Sequence, residues 1–102
     1  MKKKKAERIE SLPLETYTVD YEGKKLKYSV QEPTFTQVSS AMAECMDMSG
    51  KLNMGAAGKA IWELCCTEFD DEIEKNVRLL HTVCIDIYST YVAPVDAEIK
   101  KN

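Results

Sequence analysis

Two runs of strict alternation stand in the first third of the chain. Tyr17, Val19 and Tyr21 alternate with Thr16, Thr18 and Asp20; after Glu22-Gly23-Lys24, Leu26, Tyr28 and Val30 alternate with Lys25, Lys27 and Ser29. A period of two on both sides of a short glycine-containing turn predicts a β-hairpin with one apolar and one polar face. A lone hairpin is marginal in water, so its apolar face must cover helices or join a larger sheet.

Beyond Glu32-Pro33 the period lengthens. Thr34-Phe35-Thr36-Gln37 has the form of a capping box and predicts a first helix from about Phe35 to about Met48, stopped by Ser49-Gly50. Phe35, Val38, Met42 and Cys45 line one face, widened by Ala41 and Met46. Asn53 is a good cap for a second helix reaching about Cys66, with Met54, Ala57, Ile61, Leu64 and Cys65 as its stripe. Gly55 and Gly58 each cost that helix roughly 1 kcal/mol relative to Ala. Close approach of a neighbouring helix is the compensation small residues permit; the alternative is a mobile loop over 50–58 and a late helix start. Asp70, Asp71 and Glu72 then suit the start of a third helix, from about Asp71 to about Val92. Along it Ile73, Val77, Leu80, Cys84, Ile87 and Tyr91 follow a 4-3-4-3-4 spacing, an a/d seam, with Leu79, Val83, Ile85 and Tyr88 beside it. Pro94 ends it. The pattern predicts an α+β fold over residues 13–102, an N-terminal β-hairpin followed by three main α-helices, behind a flexible basic leader at 1–12.

Composition sharpens this. The chain has 102 residues with a formal net charge of −3, enough for one domain. The charge is uneven: residues 1–11 hold five basic and two acidic side chains, the remainder nine and fifteen. An acidic body argues against a nucleic-acid surface, whose affinity rests on Lys and Arg. The lysine run is read as a solvated leader, or else as an electrostatic arm for an acidic partner. No apolar run approaches the roughly 18 residues of a membrane span, and no apolar stretch follows the leader as in a secretory signal. Cys45, Cys65, Cys66 and Cys84 sit among helix-like apolar residues, so reduced buried thiols in a cytoplasmic protein are expected.

Chemistry is sparse. Cys65-Cys66 with His81 and Cys84 are the only metal-ligand types that cluster, but none has knuckle spacing, so no metal is expected. No nucleotide-binding glycine motif or nucleophile elbow is present, and the lone His81 flanks the seam; neither catalysis nor a cofactor is expected. Four of the five methionines, Met42, Met46, Met48 and Met54, fall between positions 42 and 54. Thioethers are adaptable and suit either gap-filling in a small core or a groove for a partner. The hairpin rings Tyr17, Tyr21 and Tyr28 can bury an apolar body while keeping a wet hydroxyl. The third helix is expected to carry more apolar surface than the rest of the chain can cover, so Ile87, Tyr88 and Tyr91 are candidates for a homo-oligomer or partner contact.

The layout as a whole carries a resemblance. A tyrosine-rich hairpin runs into Glu32-Pro33-Thr34 and a first helix; a Gly/Met segment follows, then an acid-capped helix ending Tyr88-x-x-Tyr91-x-x-Pro94 and a lysine-rich end. Over about residues 14–102 this resembles the tail assembly chaperones of long-tailed bacteriophages and phage-derived elements. The resemblance implies a non-enzymatic protein of the bacterial host cytoplasm. Such a protein binds the tape measure protein and helps recruit the major tail protein, and many members are also made as a longer frameshifted product. The alternative is a small phage structural or regulatory protein-binding module, such as a head–tail connector component or a host-protein inhibitor.

Overall fold

The computed structural model describes residues 2–102. Its elements run β1 (Lys2–Lys3), β2 (Leu14–Tyr21), β3 (Lys24–Gln31), α1 (Phe35–Glu44), α2 (Met54–Cys65), β4 (Cys66–Asp70), α3 (Glu72–Lys75), α4 (Val77–Ile87) and a π-helical turn over Tyr88–Val92. The result is a small α+β domain whose antiparallel sheet, in the order β1-β4-β3-β2, carries the helices on one face.

The hairpin follows the alternation. All eight β2 residues pair with β3, from Leu14 opposite Gln31 to Tyr21 opposite Lys24. Glu22 and Gly23 both take positive φ, 50° and 77°, the two left-handed residues of a type I′ turn. Leu26, Tyr28 and Val30 are buried, while Lys25 and Lys27 face solvent. The capping box also forms: the Gln37 N–H donates to Thr34 Oγ1 at 3.2 Å and the Thr34 N–H to Gln37 Oε1 at 3.0 Å.

Four features depart from the expected layout. The first is β4, in a stretch expected to finish the second helix and start the third. Its core-facing residues Cys66 and Phe69 are three apart and so of opposite parity. A bulge between Ser29 and Val30 in the pairing with β3 takes up the extra residue and lets both face the helices. Second, the long third helix is broken at Asn76, which is extended (φ −111°, ψ 104°) and caps α4 by accepting from the Arg78 and Leu79 N–H groups, each at 3.1 Å. Its Nδ2 donates to the Tyr21 hydroxyl at 2.8 Å, tying the break to the hairpin. Val77 thereby leaves the seam and is 80% exposed. Third, the π-helical turn, closed by Ala93 N–H to Tyr88 O at 2.8 Å, carries Val92 into the core and leaves Tyr91 half-buried. Fourth, α1 ends at Glu44 rather than near Met48, and its first residue Phe35, expected on the apolar face, is 86% exposed.

The leader also differs from a solvated tail. Lys2 and Lys3 pair with Asp70 and Phe69 at the sheet edge, and the Ala6 N–H donates to the Cys66 carbonyl at 2.9 Å. Lys5 bridges Glu74 at 2.7 Å and Glu63 at 3.3 Å, and lies over the Phe69 ring at 5.7 Å. The acidic partner of this arm is the chain's own body.

Trp62, on α2, is the centre of the core. It is fully buried, tilted against Tyr28 (ring centroids 5.7 Å apart) and edge-on to Phe69 (5.1 Å), and its Nε1–H donates to Glu74 Oε2 at 2.9 Å. Desolvation works to raise the Glu74 pKa, but Lys5 and Trp62 outweigh it and hold the carboxyl below its ordinary value. The ionised form is therefore the one the fold favours, and its stabilising contribution fades as acid protonates it.

The small residues of α2 do allow close packing. A Cβ on Gly58 would stand 1.9 Å from the Cys84 carbonyl oxygen, whereas one on Gly55 would meet only the His81 ring, at 2.9 Å. The first obstacle is backbone and the second a side chain able to turn away. Gly58→Ala is thus expected to lower unfolding stability in urea by about 1–3 kcal/mol, as overpacking does. Gly55→Ala should be neutral or stabilising by up to about 1 kcal/mol through helix propensity. Equal effects for the two substitutions would contradict this packing.

Candidate partner-binding surface

The connector between α1 and α2 is ordered by one aspartate. Asp47 Oδ1 accepts from the Ser49 N–H (2.9 Å), the Ser49 hydroxyl (2.7 Å) and the Lys51 N–H (2.9 Å). Backbone bonds from Asp47 to Lys51 and from Asn53 to Cys45, with a bridge between Met46 and Leu52, close the segment into a small hairpin-like turn. Gly50 takes φ 85° at its tip. The hydrogen bond from Ser49, then that from Lys51, hold the Asp47 carboxyl below its ordinary pKa. The turn is accordingly firm at neutral pH and loosens only as strong acid protonates Asp47. Asn53 accepts from the Ala56 N–H at 3.0 Å and starts α2 at Met54, so 50–58 is not a loop with a late helix start.

This framework presents three methionines to solvent: Met46 is 49% exposed, Met48 fully exposed and Met54 50% exposed. Leu52, between them, is half-buried against the core. Met42, expected beside them, is instead half-buried against the core from α1. Three exposed thioethers on a hydrogen-bonded turn and the adjoining first turn of α2 form an adaptable apolar surface held in a defined place.

The other candidate residues separate into core and rim. Tyr28 is buried, stacked on Tyr17 with ring centroids 5.2 Å apart, and Ile87 is buried under the sheet; neither is available to a partner. Tyr28 points inward because its position in β3 faces α2. Ile87 is covered because the broken helix lets α4 lie along α2. Tyr17, Tyr21, Tyr88 and Tyr91 are half-buried around the same core. The Tyr17 and Tyr91 hydroxyls share a 2.6 Å hydrogen bond, and burial raises the Tyr91 pKa. Tyr17 and Tyr91 join the hairpin to the π-helical turn, and Tyr21 joins it to Asn76.

The thiols lie apart from one another in function. Cys65 and Cys66 are fully buried; Cys65 Sγ approaches Gln37 Oε1 and Cys66 Sγ the Glu68 carbonyl, each at 3.5 Å. Burial pushes Cys65 and Cys84 up to about 11 and Cys66 to about 12, so they are neutral thiols at physiological pH and poor nucleophiles. Cys45 is half-buried, and all four are free of disulfides. Among the described residues no three His, Cys, Asp or Glu side chains are grouped to hold a metal ion. No helix among them is long and apolar enough to cross a membrane.

Two features escaped the sequence pattern. Trp62 lies off the expected stripe of α2, whose Leu64 is 45% exposed, and Val77 is thrown outward by the Asn76 break. The single tryptophan beside an acid-rich stretch is the one signal that pointed to the first. No protein-family model, curated protein or solved structure matches the chain.

The burial pattern separates two substitutions. Met42→Ser is expected to cost about 1–3 kcal/mol of stability by removing partly buried apolar volume. Met46→Ser with Met48→Ser should change it by no more than about 0.5 kcal/mol, as exposed positions do. Trp62 fluorescence through a urea titration reads both. A double variant that unfolds like Met42→Ser would place those methionines in the core.

Proposed function

We propose that this chain is a tail assembly chaperone of a long-tailed phage or phage-derived element. In this reading it acts in the bacterial host cytoplasm, binding the tape measure protein and helping to recruit the major tail protein. The observation that carries the reading is the ordered connector that holds Met46, Met48 and Met54 in solvent. A tape measure is a long helical chain with apolar stripes that risks aggregation until tube subunits cover it. A protein that shields it needs adaptable apolar contacts, many and modest, so that it can be displaced. Methionines on a firm turn supply such contacts without the entropic cost of ordering a loop.

Co-expression with the adjoining tape measure gene tests the proposal. The chain should co-purify with that product and raise its soluble yield. The Met46→Ser, Met48→Ser variant, still folded by circular dichroism, should bind more weakly, at about 1–3 kcal/mol per anchor lost. A folded wild type that neither co-purifies nor improves solubility overturns the proposal.

A further inference from the structure

Both ends of the sheet are not finished alike. At one end the two-residue β1 covers β4, whereas β2, eight residues long, is the terminal strand at the other. Apart from the charges of Glu15 and Asp20, the usual devices that blunt an edge are missing from it. It has no bulge along its pairing with β3, no lysine, and no proline within it, Pro13 lying just before its start. Two grooves flank this rim on the helix side. One, of about 660 Å³, lies at the Tyr21 end, with Val19, Tyr21, Val77 and Leu79 as its apolar side and Asp20, Arg78, His81 and Thr82 as its polar side. The other lies at the Leu14 end between Glu15, Tyr17, Glu32 and Tyr91, and is acidic.

The chain carries one segment with matching chemistry. Residues 94–102 have no regular structure, and Val95 and Ile99 are 84% and 96% exposed. The segment alternates: Val95, Ala97, Ile99 and Lys101 fall on one side, Asp96, Glu98 and Lys100 on the other. Laid antiparallel on β2, it places Val95 opposite Tyr21, Ala97 opposite Val19, Ile99 opposite Tyr17 and Lys101 opposite Glu15. The apolar side chains then meet the groove at Val77, and the lysine meets the paired carboxylates of Glu15 and Glu32. On the outer face Asp96 falls opposite Asp20, which Lys25 already neutralises at 2.8 Å.

A chain's own segment cannot reach this register. The π-helical turn sits at the Tyr17 end of β2, where Tyr91 bonds Tyr17. From Ala93 to Val95 the backbone spans at most about 7 Å, whereas Tyr21 lies about 14 Å along the strand from Tyr17. The registers within reach of the same chain are a parallel one, which sets Val95 among the carboxylates, and an antiparallel one shifted toward Leu14, which leaves Ile99 and Lys101 beyond the start of the strand.

We propose that two copies of this chain associate by strand addition, residues 95–101 of one copy pairing antiparallel with the outer edge of β2 of the other. Main-chain hydrogen bonds supply the affinity, and the apolar side of one groove with the carboxylates of the other fixes direction and register. The proposal does not rest on the chaperone reading.

Sedimentation velocity across a concentration series tests it, with circular dichroism as the check on folding. The wild type should show a concentration-dependent dimer, and Ile99→Asp should abolish it without altering the fold. Lys101→Glu should weaken the dimer about tenfold, by setting a carboxylate against two others. Lys101→Glu combined with Glu15→Lys should restore most of that loss, which a merely structural role for either residue cannot explain. Hydrogen exchange should show the alternate β2 amides that point away from β3 protected in the wild-type dimer and released in Ile99→Asp. A wild type that stays monomeric at high concentration overturns the proposal. So does a dimer indifferent to Ile99→Asp, or protection in a monomer of the alternate β2 amides that point away from β3.

Discussion

The structure depends on the burial of Trp62, on α2, against the sheet. One ring joins four parts of the chain: Tyr28 from the hairpin, Phe69 from β4, Glu74 from α3 through the indole N–H, and the N-terminal arm through the Lys5 that shares Glu74. Removing a buried tryptophan from such a site typically costs about 3–5 kcal/mol, a large part of the stability of a domain this small. The ring can occupy that place because Gly58, one turn before it on α2, lets the helix lie against the Cys84 backbone. Side chains of ordinary size at that crossing would hold the helices apart and leave the tryptophan at the rim.

This arrangement explains what is left outside. With Trp62, Tyr28, Phe69, Ile61, Ile73 and Ile87 filling the interior, the core has no place for Met46, Met48 or Met54. The chain nevertheless spends the Asp47 hydrogen bonds on fixing the segment that carries them. A connector with no duty beyond joining two helices needs neither the fixed turn nor the apolar surface. The acidic body has a comparable consequence. Its Glu63, Glu74 and Asp70 hold the basic arm along the sheet edge through Lys2 and Lys5, so part of the charge imbalance of the sequence is an internal attraction.

Local patterns were readable where one rule acted alone. Alternation predicted the hairpin, and Thr34 and Asn53 predicted the starts of α1 and α2, because each signal lies within a few residues. The fourth strand was not readable, since the extra residue Thr67 in its pairing with β3 brings Phe69 into the same facing as Cys66 and erases the period of two. The long seam through Ile73 and Val77 looked continuous because Asn76 is unremarkable inside a helix until its side chain is seen capping the next one. The leader's docking depends on acids some sixty residues away. Of the candidate surface, the methionine cluster was visible as composition, but separating Met42 from Met46 and Met48 required knowing where α1 ends. Tyr28 and Ile87 looked like surface candidates only because Trp62, which draws the hairpin and α4 together over them, carried no periodic mark.

The central claim is that the exposed methionines receive a helical partner while the core stays as it is. Methyl-labelled methionine NMR during titration with a soluble tape measure fragment reads this directly. The account predicts shifts or broadening at Met46, Met48 and Met54, with the Met42 methyl little changed. Unchanged spectra at saturating fragment, or perturbation centred on Met42 with loss of the folded signals, would contradict it.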